Sequence, residues 1–265
     1  MIKLPSEYPY LYETHLHTSQ ASRCGRSTGA EMAQAAKDMG YTGIFVTDHH
    51  WGGNTAADRS LPWEEWVDVF CSGYYDAKRK GDEIGLDVFF GWESGFRGTE
   101  FLIYGLTPEW MKQHPELRSP LPFGESDPSW DLDPEKQYRL IHEAGGMVIH
   151  AHPYRKEFYI PEIRLFPDCI DGVEIINATH SNAKSAAHND PAFNDQAILY
   201  AKRHDFPATA GSDIHYTDLF GGGMAFKRRL TSPQDYCRAV LSGEDYLLTD
   251  GDRWYNKKGE PIEIE

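Results

Sequence analysis

Glu13-Thr14-His15-Leu16-His17-Thr18 decides how this chain is read. It closes a run from Tyr10 with the character of a strand, and successive side chains on a strand point to opposite faces. His15 and His17 therefore share a face, and two imidazoles so placed are half of a metal site. One His-x-His pair carries little weight, because surface strands hold such pairs by chance. Here the spacing recurs at His150-Ala151-His152 and at Asp213-Ile214-His215, and Asp48-His49-His50 ends another apolar run. Four clusters of metal-type side chains, each beside an expected strand, are hard to read as independent accidents.

Outward from that stretch, strands and helices alternate. Thr28 and Glu31 have capping-box spacing at the head of an Ala-rich helix that stops at Gly40. Residues 42–47 form a short apolar strand, and an aromatic helix is expected over about 63–80. Residues 86–92 read as a buried strand ending at Glu93, and 101–106 as another, preceded by Glu100. Asp133-Pro134 opens a helix that ends at Gly145-Gly146. Strands follow at 147–152 and 170–177, helices at about 190–204 and 232–243, and the tail from Asp245 adds a strand or hairpin. Residues 107–132, rich in Pro, Ser and Asp, read as an insertion or lid. The alternation argues for βαβ units and a parallel sheet of about seven strands. In a (β/α) barrel all strand C-termini lie on one face, where active sites are built, so distant clusters can meet there.

The bulk numbers agree. A chain of 265 residues, 40% hydrophobic and 13% aromatic, suits a single domain over 1–265 with a sizeable core. A net charge of −15 repels nucleic acid at long range, so no long polymer is expected as a partner. Cys24, Cys71, Cys169 and Cys237 are scattered, without Cys-x-x-Cys, and read as free thiols in a reducing cytoplasm. The first ten residues lack the pattern of a signal peptide, and no apolar run is long enough for a bilayer, so a cytoplasmic location without membrane contact is expected.

His15-Leu-His17-Thr, Thr47-Asp-His49, Gly91-Trp-Glu93, Ala151-His152-Pro153 and Gly211-Ser-Asp213-Ile-His215 resemble, in order, the motifs of the PHP (polymerase and histidinol phosphatase) superfamily. The similarity covers about residues 10–243. It implies a distorted (β/α)7 TIM-like barrel with two or three divalent metals, usually Zn, Mn or Fe, at the mouth, and phosphoester hydrolysis as the typical reaction. Carried over position by position, the ligands are His15, His17, His49, Glu93, His152, Asp213 and His215, with Glu93 bridging two metals. Imidazole with carboxylate and no thiolate suits those metals independently of the resemblance. Three departures stand out. Where three-metal members often have a His or Asp after the first motif, this chain has Ser22-Arg23-Cys24. Where another ligand histidine usually precedes a strand like 101–106, it has Glu100 or Phe101, of which only Glu100 can ligate. His150 stands where an aliphatic residue is common.

Neighbouring residues need sorting. Of His49 and His50 only one is expected to ligate, and the motif favours His49; Asp48 reads as an orienting carboxylate. His150 shares a face with His152, deeper in the barrel, and reads either as a core histidine or as a further ligand. His180 reads either as a substrate contact, with leaving-group protonation open to it or to His215, or as a plain loop residue. His114, His142, His188 and His204 read as surface residues, and Trp51, Trp63 and Trp66 as packing. Arg155 resembles the family's phosphate-binding arginine, with Arg23 and Arg26 as weaker candidates; a guanidinium fits phosphate oxygens bidentately. The expected function is metal-dependent hydrolysis of a small phosphorylated metabolite, with Asp213 and His215 in the reacting centre. Two other readings are open: a nuclease or nucleotide phosphatase on short substrates, and a metal-binding domain without turnover.

Overall fold

The structure is a computed structural model that describes residues 2–118 and 133–264. Strand β1 (Tyr10–Leu16) is buried from Leu11 onward on both faces, as expected of a strand in the middle of a covered sheet. It runs parallel to β2 (Gly43–Val46), which runs parallel to β3 (Asp87–Phe96). Helix α1 (Gly29–Met39) makes the first crossover. Thr28 and Glu31 form the capping box, and Gly40, at φ 101°, ends the helix in the left-handed region.

Two elements depart from the sequence reading. The aromatic helix is two helices, α2 (Trp63–Phe70) and α3 (Ser72–Ile84), which meet at Cys71. The parallel sheet is interrupted as well. Arg97 and Gly98, both at positive φ, join β3 to β4 (Thr99–Tyr104) by a tight hairpin. Two residues cannot make a crossover, so β4 must run antiparallel to β3, and it is antiparallel to β5 (Met147–Ala151) too. This reversal brings the start of β4, with Glu100, to the end of the sheet where the other strands finish. β5, β6 (Gly172–Asn177) and β7 (Ala208–Gly211) return to parallel pairing.

The sheet curls until the chain after β7 reaches β1. Ile214 donates to the His15 carbonyl (3.2 Å), and His17 donates to the Ile214 carbonyl (2.9 Å). The lower half of the same β1 edge pairs antiparallel with β8 (Gly222–Phe226), which the sequence reading did not foresee. β8 is short and begins with two glycines. A Cβ on Gly223 would lie 2.1 Å from the Tyr12 carbonyl oxygen, so only glycine permits this approach. β9 (Tyr246–Asp250), β10 (Trp254–Tyr255) and β11 (Pro261–Ile262) extend the sheet beyond β8. The curled α/β sheet bears out the barrel in outline, but not seven repeating βα units.

The remaining helices are α4 (Pro108–Lys112), α5 (Pro134–Glu143), α6 (Ala178–Ser181), α7 (Ala192–His204) and α8 (Pro233–Leu241). Of the expected insertion, residues 107–118 form α4 and a 3-10 turn against α2, where Trp63 Nε1 donates to the Met111 carbonyl (3.0 Å). The rest, 119–132, lies outside the described residues. Among the described residues no helix is long and apolar enough to cross a membrane.

Candidate metal centre

The curl gathers all eight predicted ligands at one end of the sheet. His15 and His17 come from the end of β1, His49 follows β2, and Glu93 lies on β3. Glu100 opens β4, His152 follows β5, and Asp213 and His215 follow β7. Glu93 is the hub. Its Oε1 lies 3.1 Å from His152 Nε2 and 3.3 Å from His15 Nε2; its Oε2 lies 2.7 Å from His49 Nδ1 and 3.6 Å from His17 Nε2. Asp213 Oδ1 lies 3.0 Å from His17 Nε2 and 3.5 Å from His15 Nε2. Glu100 stands within 3.8 Å of His49 Nδ1 and 3.7 Å of His152 Nε2. His152 and Asp213 hold φ of 28° and 54°, a local backbone cost that aims both side chains inward.

Hydrogen bonds behind the histidines settle which nitrogen faces the centre. His15 Nδ1 bonds Glu174 Oε1 (2.9 Å), which turns Nε2 toward the centre. The Ser22 hydroxyl donates to Asp48 Oδ1 (2.6 Å), so it accepts from His17 Nδ1 (3.3 Å) and from the His49 amide (3.0 Å). His215 Nδ1 donates to the Asp213 carbonyl (3.0 Å). Among the described residues His15 Nε2, His17 Nε2, His49 Nδ1 and Asp213 Oδ1 are buried without a hydrogen bond. Buried polar atoms are normally paired. Four orphans converging on one spot, all imidazole or carboxylate, fit divalent cations of the zinc, iron or manganese type. The ligand atoms fall into four overlapping triads: His15–His17–Glu93, His15–His152–Asp213, His49–Glu93–Glu100 and His17–His49–His215.

The electrostatics follow from crowding charge in a buried place. Burial pushes the Glu93 carboxyl up, but His49 and His15 outweigh it and hold the group well below the usual carboxylate range. Asp213 behaves likewise: Arg155 and His15 overcome its burial. Glu100 goes the other way, to about 8, through burial and repulsion from Glu93. His17 is held well below the usual imidazole range by burial and by the positive charge of His49 and His215. His15 is raised despite burial, by Glu174, Asp213 and Glu93.

The structure also places residues that the sequence reading missed. Glu174, on β6, accepts from His15 Nδ1, from the His152 amide (3.1 Å) and from Asn177 (3.0 Å). Glu13 accepts from the His15 and Ser212 amides, both at 2.9 Å. Cys24 belongs to the site too. It neighbours His49 and His215, whose charge overcomes burial and lowers its thiol to about 5. It thus lies beside the His17–His49–His215 triad, as a soft donor where an oxygen or nitrogen was expected. The orienting role expected of Asp48 takes shape through Ser22. His50 and His150 turn away from the centre into aromatic surroundings.

Arg155 lies at the centre's edge, buried, with Nη1 2.6 Å from Asp213 Oδ2. Its Nε donates to His180 Nε2 (3.0 Å), and His180 Nδ1 bonds Asn194 Oδ1 (3.0 Å). His180 therefore sits behind Arg155 with both nitrogens engaged, and burial and Arg155 hold it well below the usual imidazole range. A cavity of about 710 Å³ opens from this cluster of imidazoles and carboxylates, and Arg23 and Arg26, as well as Arg155 and His215, line it.

A curled α/β sheet whose end carries overlapping His and carboxylate triads is a site that could hold divalent metal ions. Residues 191–244 match a family model described as PHP-associated. That segment holds Asp213 and His215, and the match agrees with the resemblance carried by the five motifs, which lie in order on the strand ends. It is 29% identical over 147 residues to an uncharacterized protein of Methanocaldococcus jannaschii. That match covers 56% of this chain and 64% of the relative, less than two thirds of its length. Two solved structures share the fold. A two-domain protein of Bacteroides vulgatus, named as containing a predicted PHP-like metal-dependent phosphoesterase, aligns with a TM-score of 0.60 at 14% identity over 94% of this chain and 67% of that one. A protein of Bifidobacterium adolescentis, named as a candidate metal-dependent phosphoesterase, aligns with a TM-score of 0.51 at 16% identity over 90% of this chain and 97% of that one.

Proposed function

We propose that this protein hydrolyses a phosphoester of a small metabolite with divalent metals held by His15, His17, His49, Glu93, Glu100, His152, Asp213 and His215. The observation that carries the reading is Glu93, within 3.6 Å of four imidazoles with one oxygen toward each pair, which suits a carboxylate bridging two cations. When bound, such metals supply Lewis-acid charge and lower the pKa of water so that a nucleophile exists near neutral pH. Arg155 faces the reacting phosphoryl group. Its Nη2 is buried without a partner among the described residues, and a guanidinium donor there stabilises charge on the equatorial oxygens. His180 and Asn194 hold that guanidinium in place. His215 lines the cavity and is the most exposed of the site histidines, which suits it to protonate the leaving oxygen where it does not ligate. A net charge of −15 favours small substrates over polymers.

The test is elemental analysis of protein purified without chelator, together with hydrolysis of an aryl phosphate with Mn, Fe or Zn added. Asp213→Asn keeps a side chain that tolerates the left-handed backbone but removes the charge. It is expected to lower turnover by about a thousandfold or more, the scale of losing charge stabilisation in a buried site. Wild-type turnover in that variant overturns the site. Two or more metals per chain without turnover on any phosphoester favours a metal-binding domain without turnover.

A further inference from the structure

The cavity is charged against the rest of the molecule. The chain carries 41 acidic and 26 basic residues, yet five arginines line this one cavity: Arg23, Arg26, Arg59, Arg97 and Arg155. Among the described residues the only carboxylates in its lining are Glu100 and Asp213, both part of the candidate metal cluster. The described wall away from that cluster therefore carries arginines and neutral residues and no carboxylate.

The five arginines have different duties. Arg155 is buried and committed to Asp213 and His180. Arg59 donates to the Trp51 and Gly53 carbonyls, both at 2.8 Å, and shapes the loop after β2. Arg23, Arg26 and Arg97 are exposed, and among the described residues their guanidinium groups make no hydrogen bond or ion pair. Arg97 is presented from the tip of the β3–β4 hairpin at φ 52°, a conformation that costs a residue with a Cβ. The neighbouring wall is Gly52, Gly53, Gly95 and Gly98, which leaves the space open and adds no competing carboxylate. One phosphoryl group at the metals needs Arg155 and the cations; it does not need three further guanidinium groups across the cavity.

We infer that the substrate carries a second phosphoryl group, bound by Arg23, Arg26 and Arg97 while the scissile one lies at the metal centre. This inference rests on the phosphoesterase reading above and narrows its substrate to bisphosphorylated small molecules. Three arginines match a dianion with three acceptor oxygens better than a single carboxylate, since each guanidinium offers paired donors. A cavity of about 710 Å³ holds a molecule of that size.

The test uses the metal-loaded protein and a series of straight-chain diols, from propane-1,3-diol to hexane-1,6-diol, each as monophosphate and bisphosphate. The readout is the ratio of kcat/KM for the two, in wild type and in the triple variant Arg23→Gln/Arg26→Gln/Arg97→Gln. Metal content and circular dichroism confirm that the variant is folded and loaded. The expected wild-type preference for one or more bisphosphates is at least about tenfold, the effect of one good charge-assisted contact, and the ratio falls toward one in the variant. A wild-type ratio near one at every chain length overturns the inference, as does a preference that survives in the variant. If no member is hydrolysed, the phosphoesterase reading fails separately, and calorimetric binding of the same pairs decides the site. Tighter bisphosphate binding that the triple variant loses supports it, and equal binding overturns it.

Discussion

The mouth of the barrel and the aromatic layer behind it both bury histidines, and they use them in opposite ways. At the mouth, His15, His17 and His49 face carboxylates, and their orphaned nitrogens converge. Behind it, His50 lies edge-on to Trp63, Trp66 and Phe70, at ring distances of 6.0, 5.1 and 5.4 Å. His150 stacks on Phe101 at 5.1 Å and stands edge-on to Tyr200. Burial pushes both of these imidazoles down to about 3, so they are neutral rings in the core. His49 and His50 are adjacent in sequence, yet one belongs to each region. What separates them is not residue type but what the strand end turns each side chain toward.

The contrast is broken most directly at Glu93. Glu93→Gln keeps the shape of the hub but removes the charge that four imidazoles face. Turnover is expected to fall by roughly a thousandfold or more, and the metal measured per chain to fall with it. A variant that keeps both would mean that the mouth is no more a metal site than the layer behind it.

Changes at His50 should do the reverse. His50→Ala removes a ring from a packed aromatic cluster and is expected to cost about 3 kcal/mol of stability, with turnover per folded molecule unchanged. His50→Phe preserves the packing and is expected to stay within roughly 1.5 kcal/mol at pH 7.5. It should also change the acid response. A buried imidazole lowered to about 3 binds its proton later than the unfolded chain does, so wild type loses stability as pH falls below about 6.5. The phenylalanine variant lacks that loss, so its stability relative to wild type should rise between pH 7.5 and 5. Urea unfolding of the metal-free proteins at the two pH values measures it; a constant difference would place a charged His50 in the core.

A third change tests what turns mouth histidines into ligands. Ser22 joins Asp48 to His17 and to the His49 amide. Ser22→Ala leaves both rings in place but frees the His17 tautomer. Metal affinity is expected to weaken by about 10- to 100-fold, the usual effect of losing a partner behind a ligand, read by competition with a chromophoric chelator.

The two regions were not equally legible in the sequence. The candidate ligands of β1 were, because the strand period of two is local: His15 and His17 share a face wherever the strand goes. The same period put His150 on one face with His152, but His152 lies past the end of β5 at φ 28°, and His150 packs beside Phe101 instead. Glu174 left a signal that was not used. A glutamate between Val173 and Ile175 in an apolar strand is an anomaly, since a buried charge needs a partner. Glu13, between Tyr12 and Thr14, is the same case. The direction of β4 was hidden in two residues, Arg97-Gly98, whose positive φ values make a hairpin where a crossover was expected. Cys24 could not be placed from pattern, because the loop from Ser19 to Ser27 has no period and its path depends on contacts with the loop after β2, such as the Ser22–Thr55 bridge.

The comparison sharpens further at a charged cluster where nothing is orphaned. Arg228 makes paired hydrogen bonds to Asp235 (2.6 and 2.9 Å) and to Glu244 (2.9 and 2.8 Å), and Asp235 also accepts from the Thr231 amide and hydroxyl at the start of α8. These bonds, led by those from Arg228, hold the Asp235 carboxyl below its ordinary range. A carboxyl lowered in the folded state stabilises it above the unfolded value near 3.8, and that contribution disappears as pH falls below it. Because Arg228 is 41% exposed, water screens the pair. Asp235→Asn is therefore expected to cost only about 1 kcal/mol at pH 7, with the difference from wild type shrinking below pH 4 and metal content unchanged. A loss of metal in this variant would mean that the last helix supports the mouth, and that a charged cluster with every group paired can still serve the site.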